Sequence, residues 1–143
     1  MSSELKGKVA LVTGASRGLG EGTARALAAA GASVMLVARD GALLAKVAAE
    51  IAKEGGRAEA MTCDVADYSA VEKVVARTKD ALGTVDILVN NAGIIEPISE
   101  IATSDPAQWA QNITINLVGA YNVVRAVLPG MLGAGGGAIV NVS

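Results

Sequence analysis

Hydrophobic positions along the chain fall into five short runs rich in β-branched and apolar residues, at 9–12, 34–37, 58–62, 85–89 and 138–142. The stretches between them carry apolar residues at helical spacing. Continuous apolar strands joined by helices predict a parallel sheet covered on both faces, because right-handed crossovers place the helices there. The order is β-α-β-α-β-α-β-α-β, read as one α/β domain over residues 1–143.

The helix boundaries have their own signals. The first helix spans 21–30 and is rich in alanine, and the second carries Leu44, Val47, Ala48 and Ile51 on one stripe, with Asp40 as its N-cap and Gly55-Gly56 as its stop. Ser69-Ala70-Val71-Glu72 spells a capping box and predicts the start of the third. That helix presents Val71, Val74, Val75, Thr78 and Leu82 on one face up to Gly83. A fourth region opens at Asp105-Pro106, passes Trp109 and Asn116, and is expected to stop near Leu128 because Pro129 and Gly130 follow. Gly133 to Gly137 form a glycine-rich turn into the last strand.

Composition narrows the function classes. The chain has 143 residues, 52% hydrophobic and 18% charged, with a formal net charge of -2. Its cations are scattered, so nucleic acid is not an expected partner. Histidine is absent, which excludes His-based nucleophiles, relays and zinc sites within these residues. Cys63 is the single cysteine, and the first residues do not have a signal-peptide layout, so the expected location is cytoplasmic. Two long uncharged stretches, 107–124 and 126–143, are read as protein interior and not as membrane spans, since the first carries Gln and Asn and the second is broken by Pro129 and five glycines.

The chemistry is concentrated after the first strand, in Thr13-Gly14-Ala15-Ser16-Arg17-Gly18-Leu19-Gly20. Glycines let a backbone turn sharply and approach a pyrophosphate, whose charge the free N–H groups of the following helix stabilise. The spacing Gly14, Gly18, Gly20 differs from G-x-G-x-x-G. Taken with Cys63-Asp64-Val65 after the third strand and Asn90-Asn91-Ala92-Gly93 after the fourth, it resembles the classical short-chain dehydrogenase/reductase family over the whole chain.

That resemblance implies a Rossmann-type doubly wound sheet of order 3-2-1-4-5-6-7, of which this chain would supply the first five of seven strands, so that the domain reads as truncated at its C-terminal end. It implies cofactor contacts from Gly14, Ser16, Arg17, Gly18 and Leu19. Asp64 would accept a hydrogen bond from the adenine amino group, and Val65, Asn90, Ala92 and Gly93 would line the trough. Asp64 as a turn cap, and Asn90 as a strand-end group satisfying loop backbone, are the structural alternatives. Asn116 matches the family's catalytic asparagine, with a structural helix asparagine as its alternative.

The position that selects the cofactor, at the end of the second strand, reads as Ala38 followed by Arg39, and Arg17 supplies a second guanidinium. Both suit the 2'-phosphate of NADP. A later strand end would bring Asp40 to the ribose and favour NAD. The implied reaction is hydride transfer between nicotinamide and a small-molecule carbonyl or alcohol, using a Tyr, a Lys and a Ser. None of the three is matched here: Ser143 falls beside the serine position, and Tyr121 with Arg125 only mimics the Tyr–Lys spacing. A nucleotide-binding module without turnover is therefore the alternative. The resemblance also implies a homodimer or homotetramer formed through the helix at 112–128.

Overall fold

The computed structural model describes residues 3–143. The strands are β1 (Val9–Thr13), β2 (Ser33–Ala38), β3 (Arg57–Thr62), β4 (Ile87–Asn90) and β5 (Ala138–Asn141). All neighbouring pairs are parallel, in the order β3-β2-β1-β4-β5. Between them run α1 (Gly18–Ala29), α2 (Gly41–Lys53) and α3 (Tyr68–Ala81). A short 3-10 turn (Ile101–Thr103) then precedes α4 (Pro106–Ile113), a π turn (Thr114–Gly119) and α5 (Ala120–Gly133).

Alternation along the strands divides the core into two layers. Leu11, Met35, Val37 and Leu88 point to one face, where Val71 and Val74 of α3 and Val123, Val127 and Met131 of α5 cover them. Ala10, Val12, Val34, Leu36 and Val89 point to the other, under Ala24 and Ala28 of α1 and Leu44, Val47 and Ile51 of α2. Every β1 residue is buried because β1 has a strand on each side and a helix layer on each face. Each fully buried Leu or Ile contributes about 1.5–3 kcal/mol, so side chains such as Leu44 and Ile51 hold α2 far more firmly than its charges do. The charges that join α1 to α2 come from Arg25, which pairs with Glu21 at 2.8 Å and with Glu50.

Four expectations need correction. The fourth strand starts at Ile87, not Val85, because the Asp86 carboxylate accepts the Val9 N–H (2.9 Å) and so takes the place of a ladder bond. The third helix is capped by Asp67, not Ser69: Asp67 Oδ1 accepts from Ala70 N at 3.2 Å, and a carboxylate at the positive helix end outcompetes the hydroxyl two residues on. The first helix begins at Gly18, three residues earlier than the alanine pattern suggests. Pro129 does not end the last helix, which continues to Gly133. Pro129 lies on the exposed side, and the burial of Val127 and Met131 around it offsets the hydrogen bond its missing N–H removes.

The π turn is absent from the sequence reading, yet it explains a pattern. Ile115, Gly119, Val123, Val127 and Met131 are buried at a strict four-residue repeat. In a uniform α-helix such a repeat swings about 40° per step and soon leaves the sheet. At about 4.4 residues per turn, the π turn swings the first step the other way and keeps the stripe on the sheet. By length and composition the 28-residue rod Pro106–Gly133 could cross a bilayer, but this stripe packs into the α/β core.

Candidate functional site

The carboxyl ends of β1 to β4 open onto one groove of about 650 Å³. Gly14, Ser16 and Arg17 border it from the turn after β1, and Arg39 and Asp40 from the segment after β2. Asp64 and Val65 follow β3, Ala92 and Gly93 follow β4, and Ile115 of the π turn closes one side. Eight of the eleven residues expected to contact a cofactor thus meet in one place.

The turn after β1 is built for close approach. Gly14 has φ +63°, and a Cβ there would lie 2.9 Å from Asn91 Nδ2 and 3.2 Å from the Ala92 Cα, so both conformation and space require glycine. Gly20 packs so tightly that a Cβ would run into the Gly14 carbonyl. The helix that follows starts without a side-chain cap, whereas Asp40, Asp67 and Asp105 cap α2, α3 and α4. Its first-turn N–H groups therefore remain available to an anion at the groove. A bare glycine corner, an uncapped helix and two guanidinium groups suit the phosphates of a dinucleotide.

Side chains that the sequence reading passed over hold this corner in place. Buried Thr13 accepts two hydrogen bonds on Oγ1, from the backbone N–H groups of Asn91 and Ala92, both at 2.9 Å. Asn91 Nδ2 donates to the carbonyls of Thr13 (3.4 Å) and Gly14 (3.3 Å). Val65 is fixed by Asn122, whose buried amide donates to its carbonyl at 2.9 Å. These partners are backbone atoms more than 50 residues away in sequence, and no local pattern announces them.

Of the other residues singled out in the sequence, Gly18, Leu19, Asn90, Asn116 and Tyr121 lie off the groove wall, while Asp40, Cys63 and Asp64 border it in further roles. Gly18 and Leu19 form the exposed start of α1, with Leu19 64% exposed. Asn90 is buried and donates to the Ala120 carbonyl at 2.9 Å, joining β4 to α5. Asn116 grips the loop after β4: Oδ1 accepts from Ile94 N, and Nδ2 donates to Ile94 O, each at 2.7 Å. Asp64 serves as a turn cap, accepting from Ala66 N at 3.0 Å, while it still borders the groove. Asp40 Oδ1 accepts from Leu43 N at 3.0 Å as the cap of α2, and β2 ends at Ala38. Burial pushes the Cys63 thiol up to about 11, helped by Asp64 and Asp67. Tyr121 stands 64% exposed on the surface of α5, away from the groove.

Residues 8–143 match the short chain dehydrogenase family. The chain belongs to that family. Among curated short-chain dehydrogenase relatives, it is 38% identical over 138 residues to 2,3-dihydro-2,3-dihydroxybenzoate dehydrogenase of Bacillus subtilis, covering 96% of this chain and 52% of the relative. It is 39% identical to D-threitol dehydrogenase of Mycolicibacterium smegmatis, covering 97% of this chain and 53% of that protein. A metagenomic short-chain oxidoreductase solved in complex with NADP superposes with a TM-score of 0.93 at 42% identity, covering 99% of this chain and 64% of that one. A 3-ketoacyl-ACP reductase from Sinorhizobium meliloti gives 0.91 at 39%, covering 94% and 53%. This short-chain dehydrogenase chain spans about half the length of the curated relatives it matches.

Proposed function

We propose that this chain is the cofactor-binding half of an NADP(H)-dependent oxidoreductase acting on a carbonyl or alcohol, with residues 1–143 as one dinucleotide-binding domain. The observation that carries the choice of cofactor is the arrangement where β2 ends. Arg39 and Arg17 border the groove there, while the nearest acid, Asp40, is engaged in capping α2. Guanidinium forks match a 2'-phosphate, and an acid bound to its own helix is a poor ribose acceptor. The NADP complex of the metagenomic relative supports the same choice.

On this reading the Gly14 corner and the uncapped end of α1 hold the pyrophosphate, and Ser16 adds a hydroxyl. Gly18 and Leu19 shape the mouth of the groove. Asp64 accepts from the adenine amino group, and Val65, Ala92 and Gly93 form the walls. Asn90 and Asn116 fix the backbone that carries those walls, with Asn116 nearest the reacting end. The bound nicotinamide supplies or accepts the hydride. A positioned acid must exchange the proton with the substrate oxygen. The Y-x-x-x-K spacing associated with that step has no match in these residues. The reading includes a cytoplasmic location with Cys63 reduced, and self-association through the helix at 112–128, where Leu117 of the π turn and Tyr121 of α5 are exposed.

The test is Arg39→Ala, with NADPH and NADH affinities measured by fluorescence titration. Binding of NADPH should weaken by about 1.5–3 kcal/mol, the worth of a charged hydrogen bond, with NADH almost unchanged. Equal losses for the two cofactors would remove Arg39 from the 2'-phosphate. NAD is the second reading, because the Asp40 carboxylate also borders the groove; tighter NADH than NADPH binding by the unaltered chain would establish it.

A further inference from the structure

The segment after β4 obtains its hydrogen bonds in an unusual way. Among the described residues, 94–97 make no backbone-to-backbone hydrogen bond. Ile94 is half-buried and Glu96 exposed, and side chains of one helix provide partners for their backbone groups. Asn116 takes both polar groups of Ile94. Asn112, one turn earlier and half-buried, donates from Nδ2 to Ile94 O at 3.0 Å and to Glu96 O at 2.8 Å. Its Oδ1 accepts from Asn116 Nδ2 at 3.0 Å. The Asn112 amide thus uses both donors and its acceptor on one task.

The consequence is geometric. Asn116 alone fixes only Ile94, about which the strand could still swivel. Bonding Glu96 as well sets the direction in which the segment leaves β4, and the bond to Asn116 ties the two amides into one rigid unit. Ile94 and Gly93 border the groove on the β4 side, across the sheet from Arg39 on the β2 side. A dinucleotide with its 2'-phosphate at Arg39 therefore places its other half against the segment that Asn112 holds.

We propose that Asn112 is a positioning residue which, by clamping the backbone of Ile94 and Glu96 together with Asn116, shapes the groove wall that receives the nicotinamide half of the cofactor; this rests on the dinucleotide reading above. Asn112 touches no ligand itself. It acts by removing the need to order the loop when the cofactor binds.

The experiment compares the 143-residue chain with Asn112→Val, which removes three hydrogen bonds, and Asn112→Gln, which keeps the amide. Two ligands are titrated: NADPH, and adenosine 2',5'-bisphosphate, which reaches only the Arg39 side. Exchange of the Ile94 amide proton is followed by NMR. Asn112→Val should bind NADPH about five- to tenfold more weakly and exchange the Ile94 amide faster, while bisphosphate affinity stays within about twofold. Asn112→Gln should recover most of the NADPH affinity. Should the valine disturb folding, Asn112→Ser, too short to reach either carbonyl, should show the same division between the ligands. Unchanged NADPH binding, or equal weakening of both ligands, overturns the assignment of Asn112 and leaves the dinucleotide reading standing. Failure of the unaltered chain to bind either ligand overturns both.

Discussion

Cys63 shows how a cysteine can border the groove with its thiolate disfavoured. It is 7% exposed, has no cation among the groups that move its pKa, and is held protonated by burial and by Asp64 and Asp67. Its pKa rises from 9.0 to about 11, so the folded state disfavours the thiolate. For such a group, stability is fully present below the unfolded value and declines as pH climbs from about 9 toward about 11. Denaturant midpoints should therefore fall across that window for the parent chain and fall less for Cys63→Ala; identical pH profiles would contradict the assignment. Beside it, Gly14 was legible in the sequence because glycine is the only residue type that tolerates both its positive φ and its contact with Asn91. Thr13, Asn91 and Asn112 were not legible, because a hydroxyl or amide carries no mark of the remote backbone atom it will bind.

At the level of elements, the apolar runs located all five strands within two residues: burial on both faces demands continuous hydrophobicity in β1, β2 and β4, while β3 and β5, at the two ends of the sheet order, are largely exposed or half-buried and more mixed. Helix ends were less legible. Ser69 and Asp67 both have capping chemistry, and the choice between them depends on the turn closed by Asp67 N to Asp64 O at 3.0 Å, which a local spelling does not contain. Asp67→Ala should cost about 1 kcal/mol in chemical denaturation, with Ser69→Ala costing only a few tenths. The reverse order would restore the capping box. The stop expected at Pro129 failed because tertiary burial of Met131 outweighs a local breaker, and the π turn escaped because its signal is the phase of a stripe and not its composition.

Considered whole, the molecule gathers at one end of the sheet the groups proposed above to hold a cofactor, whereas the one phenol near a cation at helical spacing, Tyr121, lies outside that groove. The purified 143-residue chain should accordingly show no NADPH oxidation with carbonyl substrates even where it binds nucleotide, because a proton donor within reach of the substrate oxygen is required. Steady turnover that Tyr121→Phe abolishes would refute this. At that end of the sheet, the buried Thr13 hydroxyl joins the corner after β1 to the start of the segment after β4, at Asn91 and Ala92. That pair of bonds fences the corner off from the loop: loosening of residues 94–96 should stop at Ala92, whose N–H stays held, and leave the phosphate end ordered.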